Sequence, residues 1–66
     1  MKLSGNKVRS LREKAGLSQF DLGTEIEMSQ VTISRIENEY WKSCDFLTVC
    51  KLAEYFNVTL DELIER

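Results

Sequence analysis

Residues 29–41 read SQVTISRIENEYW. Ser29 is a helix N-cap type, since a hydroxyl oxygen accepts from the unbonded amides of a first turn. Ile33 and Ile36 then recur three apart, as one buried face of a helix requires. That face leaves Gln30, Val31, Thr32, Ser34 and Arg35 outward. A purely solvated face is expected to favour Glu and Lys, the charged residues that soluble surfaces use. Gln, Thr and Arg instead carry the donors and acceptors that match base edges, and Val can touch a thymine methyl. On this stretch alone an ordinary solvated face remains the competing reading.

Working backwards, Ser18 is a second N-cap, and Asp21 three residues on completes a capping-box pair. The helix that follows is expected over about Gln19 to Glu27, with Leu22 and Ile26 inward. Met28 and its neighbours leave only about a three-residue turn before Ser29, which makes a tight pair of helices. A steep crossing of such a pair needs a small residue, and Gly23 supplies it. The first helix is expected to start after Ser4 or Asn6 and to run through "KVRSLREKA". Val8, Leu11 and Ala15 share its face, and Gly16 is its left-handed stop. Working forwards, Asp45 caps a fourth helix that carries Phe46, Val49, Cys50, Ala53 and Phe56 inward and ends at Asn57, a residue tolerant of the left-handed region. "TLDE" at residues 59–62 is a further capping box and opens a short fifth helix with Leu60, Leu63 and Ile64. The expected core is Val8, Leu11, Leu17, Leu22, Ile26, Ile33, Ile36, Val49, Leu52, Ala53, Phe56, Val58 and Leu63.

The chain has 66 residues, no proline and three glycines, which suits one small helical domain over residues 1–66 near the lower size limit for an unstapled core. No histidine is present and the two cysteines, Cys44 and Cys50, stand six apart; they cannot make up a zinc set. One disulfide is conceivable, but "CDFLTVCKLA" reads better as small buried or half-buried thiols in a reducing cytoplasm. No apolar run is long enough to span a membrane, and the N-terminus lacks a signal-peptide core. The net charge is −2, which argues against a generally basic nucleic-acid coat. The charge is unevenly spread, however: Lys2, Lys7, Arg9, Arg12 and Lys14 crowd the start, whereas Glu54, Asp61, Glu62 and Glu65 dominate the end.

Taken together, "LREKAGLSQFDLG", "SQVTISRIEN" and "KLAEYFNVTLDELI" resemble the phage-repressor and Cro-like, or Xre-like, helix-turn-helix family over nearly the whole chain. The resemblance implies an all-α, five-helix, lambda-repressor-like domain that binds double-stranded DNA at a palindromic operator as a homodimer. It places the third helix in the major groove, with Gln30, Val31, Thr32, Ser34 and Arg35 facing bases or adjacent phosphates. Gln19, Ser29, Asn38 and Lys42 match phosphate-contacting positions, and Arg12 and Glu37 match a partly buried structural ion pair. No cofactor, metal, membrane or small-molecule substrate is implied, and the location is cytoplasmic. Three departures stand out. Glu27 replaces the usual turn glycine and is expected to adopt a left-handed conformation at a cost of about 1–2 kcal/mol. "ENE" at residues 37–39 replaces "ENG", and the frequent proline before the fourth helix is missing near Cys44.

An enzyme is disfavoured, because no histidine, nucleophile constellation or phosphate loop is present and the volume is too small for a substrate pocket. The rival reading is a protein-interaction module, of antitoxin or partner-binding type, built on the acidic C-terminal half and the aromatics. Tyr40 and Trp41 are expected to pack the loop onto the core. Phe20, beside Gln19, is either half-buried against the first helix or an exposed contact.

Overall fold

The computed structural model describes residues 2–38 and 46–65. Along them lie β1 (Lys2–Leu3), α1 (Gly5–Lys14), α2 (Gln19–Glu25), α3 (Gln30–Glu37), α4 (Phe46–Phe56), α5 (Leu60–Leu63) and β2 (Ile64–Glu65). The five expected helices are present, and residues 18–38 hold no strand. Asp45, the expected cap of α4, lies outside the described residues, as do Tyr40, Trp41 and Cys44.

One device punctuates the helices three times. Gly16 (φ 74°), Glu27 (φ 59°) and Asn57 (φ 56°) all stand in the left-handed region. After each, the next amide reaches back around the helix end: Leu17 N–H to Arg12 O at 3.1 Å, Met28 N–H to Gly23 O at 2.7 Å and Val58 N–H to Ala53 O at 3.0 Å. This is the Schellman closure, which satisfies carbonyls that the helix end would leave bare. Leu17, Met28 and Val58 pack against the core, so each closure is also an apolar clasp. A hydroxyl N-cap follows immediately: Ser18 accepts from Asp21 N–H at 3.0 Å, Ser29 from Thr32 N–H at 3.1 Å and Thr59 from Glu62 N–H at 3.3 Å. Three residues therefore end one helix, anchor the link and start the next.

The closure corrects one expected boundary. Helix α2 stops at Glu25 rather than Glu27, because Glu27 must turn left-handed for Met28 to reach Gly23 O. Residues 26–29 then separate α2 from α3. A second correction concerns Ile64, expected on the fifth helix. It is extended (φ −91°, ψ 132°) and pairs with Leu3 in an antiparallel register, Lys2 facing Glu65. Ser4 N–H donates to Leu63 O at 2.7 Å beside this pair. The two ends of the chain are thus stitched together, which brings Leu3 into the core.

The core comprises Leu3, Val8, Leu22, Ile26, Ile33, Ile36, Val49, Leu52, Ala53 and Leu63, with Leu11, Leu17, Phe56 and Val58 half-buried around it. Each fully buried Leu, Ile or Val contributes about 1.5–3 kcal/mol relative to exposure. In α4 the buried stripe is Thr48, Val49, Leu52 and Ala53. That rotation leaves Phe46 and Leu47 exposed and Cys50 only half-buried, so Phe46 is not the core residue its spacing suggested.

Gly23 is where α2 meets the link to α3. A Cβ there would collide with the Met28 carbonyl oxygen, the same residue whose amide closes the helix. Helix propensity alone makes Gly→Ala stabilising by roughly 1 kcal/mol. The collision is with backbone, which cannot swing aside, so Gly23→Ala is expected to destabilise by about 1–3 kcal/mol in urea unfolding. Glu27→Gly relieves left-handed strain and is expected to stabilise by about 1 kcal/mol. The same sign for both substitutions would contradict this description of the link.

Candidate nucleic-acid interface

Helix α3 presents its two faces as the isoleucine spacing requires. Ile33 and Ile36 are fully buried, whereas Gln30, Val31 and Arg35 are exposed and Thr32 and Ser34 are half-exposed. Val31 is 59% exposed. It stands in water on the second residue of the helix, between the exposed Gln30 and the half-exposed Thr32. Gln30 offers an amide and Arg35 a guanidinium fork, the groups that pair bidentately with adenine and guanine. Thr32 and Ser34 are already engaged: the Ser29 and Thr32 hydroxyls lie 2.9 Å apart, and Ser34 Oγ accepts from Asn38 Nδ2 at 3.3 Å.

The last residue of α3, Glu37, carries the polar centre of the molecule. Its side chain is 0% exposed. Arg12 forks onto it, Nε to Oε2 at 2.6 Å and Nη2 to Oε1 at 3.1 Å. The third Arg12 nitrogen, Nη1, donates to Leu17 O at 2.8 Å, so the same guanidinium also holds the link before α2. Gln19 Nε2 donates to Glu37 Oε1 at 3.2 Å. Arg9 adds a longer contact, Nε to Oε1 at 3.4 Å, and its Nη2 donates to Asn38 Oδ1 at 3.4 Å. One carboxylate therefore ties the end of α3 to the C-terminal half of α1 and to the start of α2. Gly5, the first residue of α1, makes this approach possible, since a Cβ there would stand 2.5 Å from Ile36 O and 2.7 Å from Glu37 O.

Burial by itself would push the Glu37 carboxyl up, but the hydrogen bonds from Arg12 and Gln19, the Arg12 charge and the Arg9 hydrogen bond outweigh it and hold its pKa below the ordinary carboxylate value. The hydrogen bond to Glu37 raises the Arg12 pKa in turn. Both shifts favour the ionised pair.

The structure brings Arg12, Glu37, Gln19 and Asn38 into one network and sets Ser29 at the head of α3. Two of these, Gln19 and Asn38, were expected only as phosphate contacts; here their amides also have internal partners. Lys42 lies outside the described residues. Arg9, in sequence one of the basic cluster at the start of the chain, is a further member of this network. Its signal was present, since it stands three residues before Arg12, one turn away on the same helix face. Phe20 resolves to the exposed alternative, at 63%.

The family model described as Helix-turn-helix matches residues 8–63, from the middle of α1 to the end of α5. The chain belongs to the Xre/lambda-repressor-like helix-turn-helix family, DNA-binding regulators that are generally not enzymes. No curated protein matches the chain. Among the described residues, no helix is long and apolar enough to cross a membrane.

The Glu37 network has a signed pH dependence. A carboxylate whose pKa is lower folded than unfolded contributes stability that is present above the ordinary carboxylate range and is lost as pH falls through the folded value. Urea unfolding across the acid range is expected to show this loss in the native chain. In Glu37→Gln it is expected to flatten, with the stability near neutral pH lower by about 3 kcal/mol because Arg12 loses its buried partner. An unchanged acid slope in that variant would place the pH sensitivity elsewhere.

Proposed function

We propose that this chain is a sequence-specific DNA-binding regulator whose residues 1–66 act as one cytoplasmic domain, laying α3 in the major groove. Gln30, Val31, Thr32, Ser34 and Arg35 face base edges or adjacent phosphates. Gln19, Ser29, Asn38 and Lys42 serve the backbone. The observation that carries the reading is the exposed face of α3: an amide, a guanidinium and a bare valine on a helix whose far end is pinned by Glu37 to α1 and α2. Membership of a DNA-binding family supports it further.

Two copies are needed, since one short helix in one groove gives limited affinity and specificity. The apolar residues exposed on α4 and α5, Phe46, Leu47 and Leu60, suit a two-fold interface. Ile64 contributes only in part because it packs against its own core. A homodimer would read palindromic half-sites about 34 Å apart, one turn of DNA. The overall negative charge is compatible with binding provided the groove side is locally positive, and it keeps non-specific affinity low.

Selection from random duplex followed by binding across a salt series is expected to give a preferred palindrome, with log affinity falling linearly with log salt. Arg35→Ala is expected to lose about 1–3 kcal/mol of discrimination at one base pair, whereas Gln19→Ala weakens specific and random duplex alike. Sedimentation at tens of micromolar is expected to show a dimer, with or without DNA. A folded dimer that binds no duplex at low salt would turn the assignment to a protein-interaction module.

A further inference from the structure

We infer that Arg9 and Asn38 form a backbone-phosphate clamp at the C-terminal end of α3, with Arg9 both contacting the phosphate and fixing the direction of the Asn38 amide. This rests on the DNA-binding reading and assigns Arg9 a part in it.

Glu37 does not need Arg9. Its oxygens already accept the short Arg12 fork and the Gln19 amide. Both Arg9 contacts, at 3.4 Å, are long beside the roughly 2.7–2.9 Å of a strong charge-assisted bond. Two arginines share the one buried carboxylate, and Arg9 is the member in water, 43% exposed against 12% for Arg12. A guanidinium carries five N–H donors, of which Arg9 uses two, both weakly.

The Asn38 amide follows from the same chemistry. Arginine has no acceptor, so Asn38 must turn its oxygen to Arg9 and its nitrogen away. That nitrogen donates one proton to Ser34 Oγ at 3.3 Å and has a second to give. Exposed Asn38 and half-exposed Arg9 therefore present neighbouring N–H donors beside the guanidinium charge that Arg9 keeps in water. A phosphodiester, singly charged and rich in acceptors, is the partner that satisfies all three features. The competing account makes Arg9 a cation that merely complements the negative C-terminal end of α3. The two accounts differ in whether charge at position 9 is felt by DNA.

The test uses the full chain and its selected operator duplex, unmodified or carrying a single neutral methylphosphonate at successive backbone positions. With the native chain, one position per half-site is expected to cost about tenfold in affinity, the size of one charge-assisted contact. Arg9→Gln, which keeps a donor to Asn38 but loses the charge, is expected to bind unmodified operator and random duplex about tenfold more weakly and to be insensitive at that position. Its salt slope is expected to fall by about 0.9 per protomer. Arg9→Lys restores the slope while leaving weaker binding, because an ammonium lacks the fork. If Arg9→Gln melts earlier yet keeps the native salt slope and methylphosphonate profile, Arg9 is structural and the clamp is overturned while the DNA-binding assignment survives. If the native chain prefers no duplex, both fall together.

Discussion

A single buried carboxylate sets the geometry on which the proposed DNA-binding side depends. Glu37 belongs to α3, but its partners come from α1 and from the start of α2. An ionised group without exposure is costly unless it is fully paired. The chain meets that demand with a bidentate arginine, a glutamine amide and a second arginine, and among the described residues no buried side-chain polar atom lacks a partner. Such a network adds little net stability compared with a well-packed apolar substitute. Its value is positional, because Arg12, Gln19 and Glu37 cannot meet unless three helix ends converge. The first residues of α2 and the length of α3 are thereby fixed relative to one another before any ligand arrives, which limits the ordering cost of binding.

The apolar side of the fold is built by economy of another kind. Leu17, Met28 and Val58 each follow a left-handed residue and precede a hydroxyl cap, so links that would otherwise be polar loops contribute apolar surface. In a chain of 66 residues this is a substantial gain, since small domains bury a lower fraction of their surface. The Leu3–Ile64 pairing serves the same end by recruiting both termini. Where these devices meet the site, they set it: the Met28 closure determines where α2 ends, and the Ser29 cap immediately after it determines where α3 begins.

Much of this was legible in the residues. The capping hydroxyls at Ser18, Ser29 and Thr59 and the left-handed stops at Gly16 and Asn57 are local chemistry, decided within a few residues, and so they can be read without a fold. The isoleucine spacing in α3 likewise separates a buried face from a displayed one. What escaped depends on distant partners. Leu3 stands outside any helical period and is buried only because Ile64 pairs with it. Ile64 looked helical because it continues an apolar helix pattern, and pairing across the chain outweighed that local preference. Phe46 fell on the expected stripe of α4, but Thr48 and Leu52 face the core and turn it outward. The second role of Gln19 could not be seen without knowing that Glu37 is buried beside it, whereas the spacing of Arg9 from Arg12 did mark a shared helix face.

The central claim is that the side held together by Glu37 is the one that meets DNA. The most direct measurement is an amide chemical-shift map of the isotopically labelled chain, titrated with its selected duplex. The account predicts that the changes concentrate at residues 18–20 and along 29–38, with α4 and α5 largely unmoved once the dimer is formed. Shifts confined to α4 and α5, with α3 unperturbed at saturation, would contradict it.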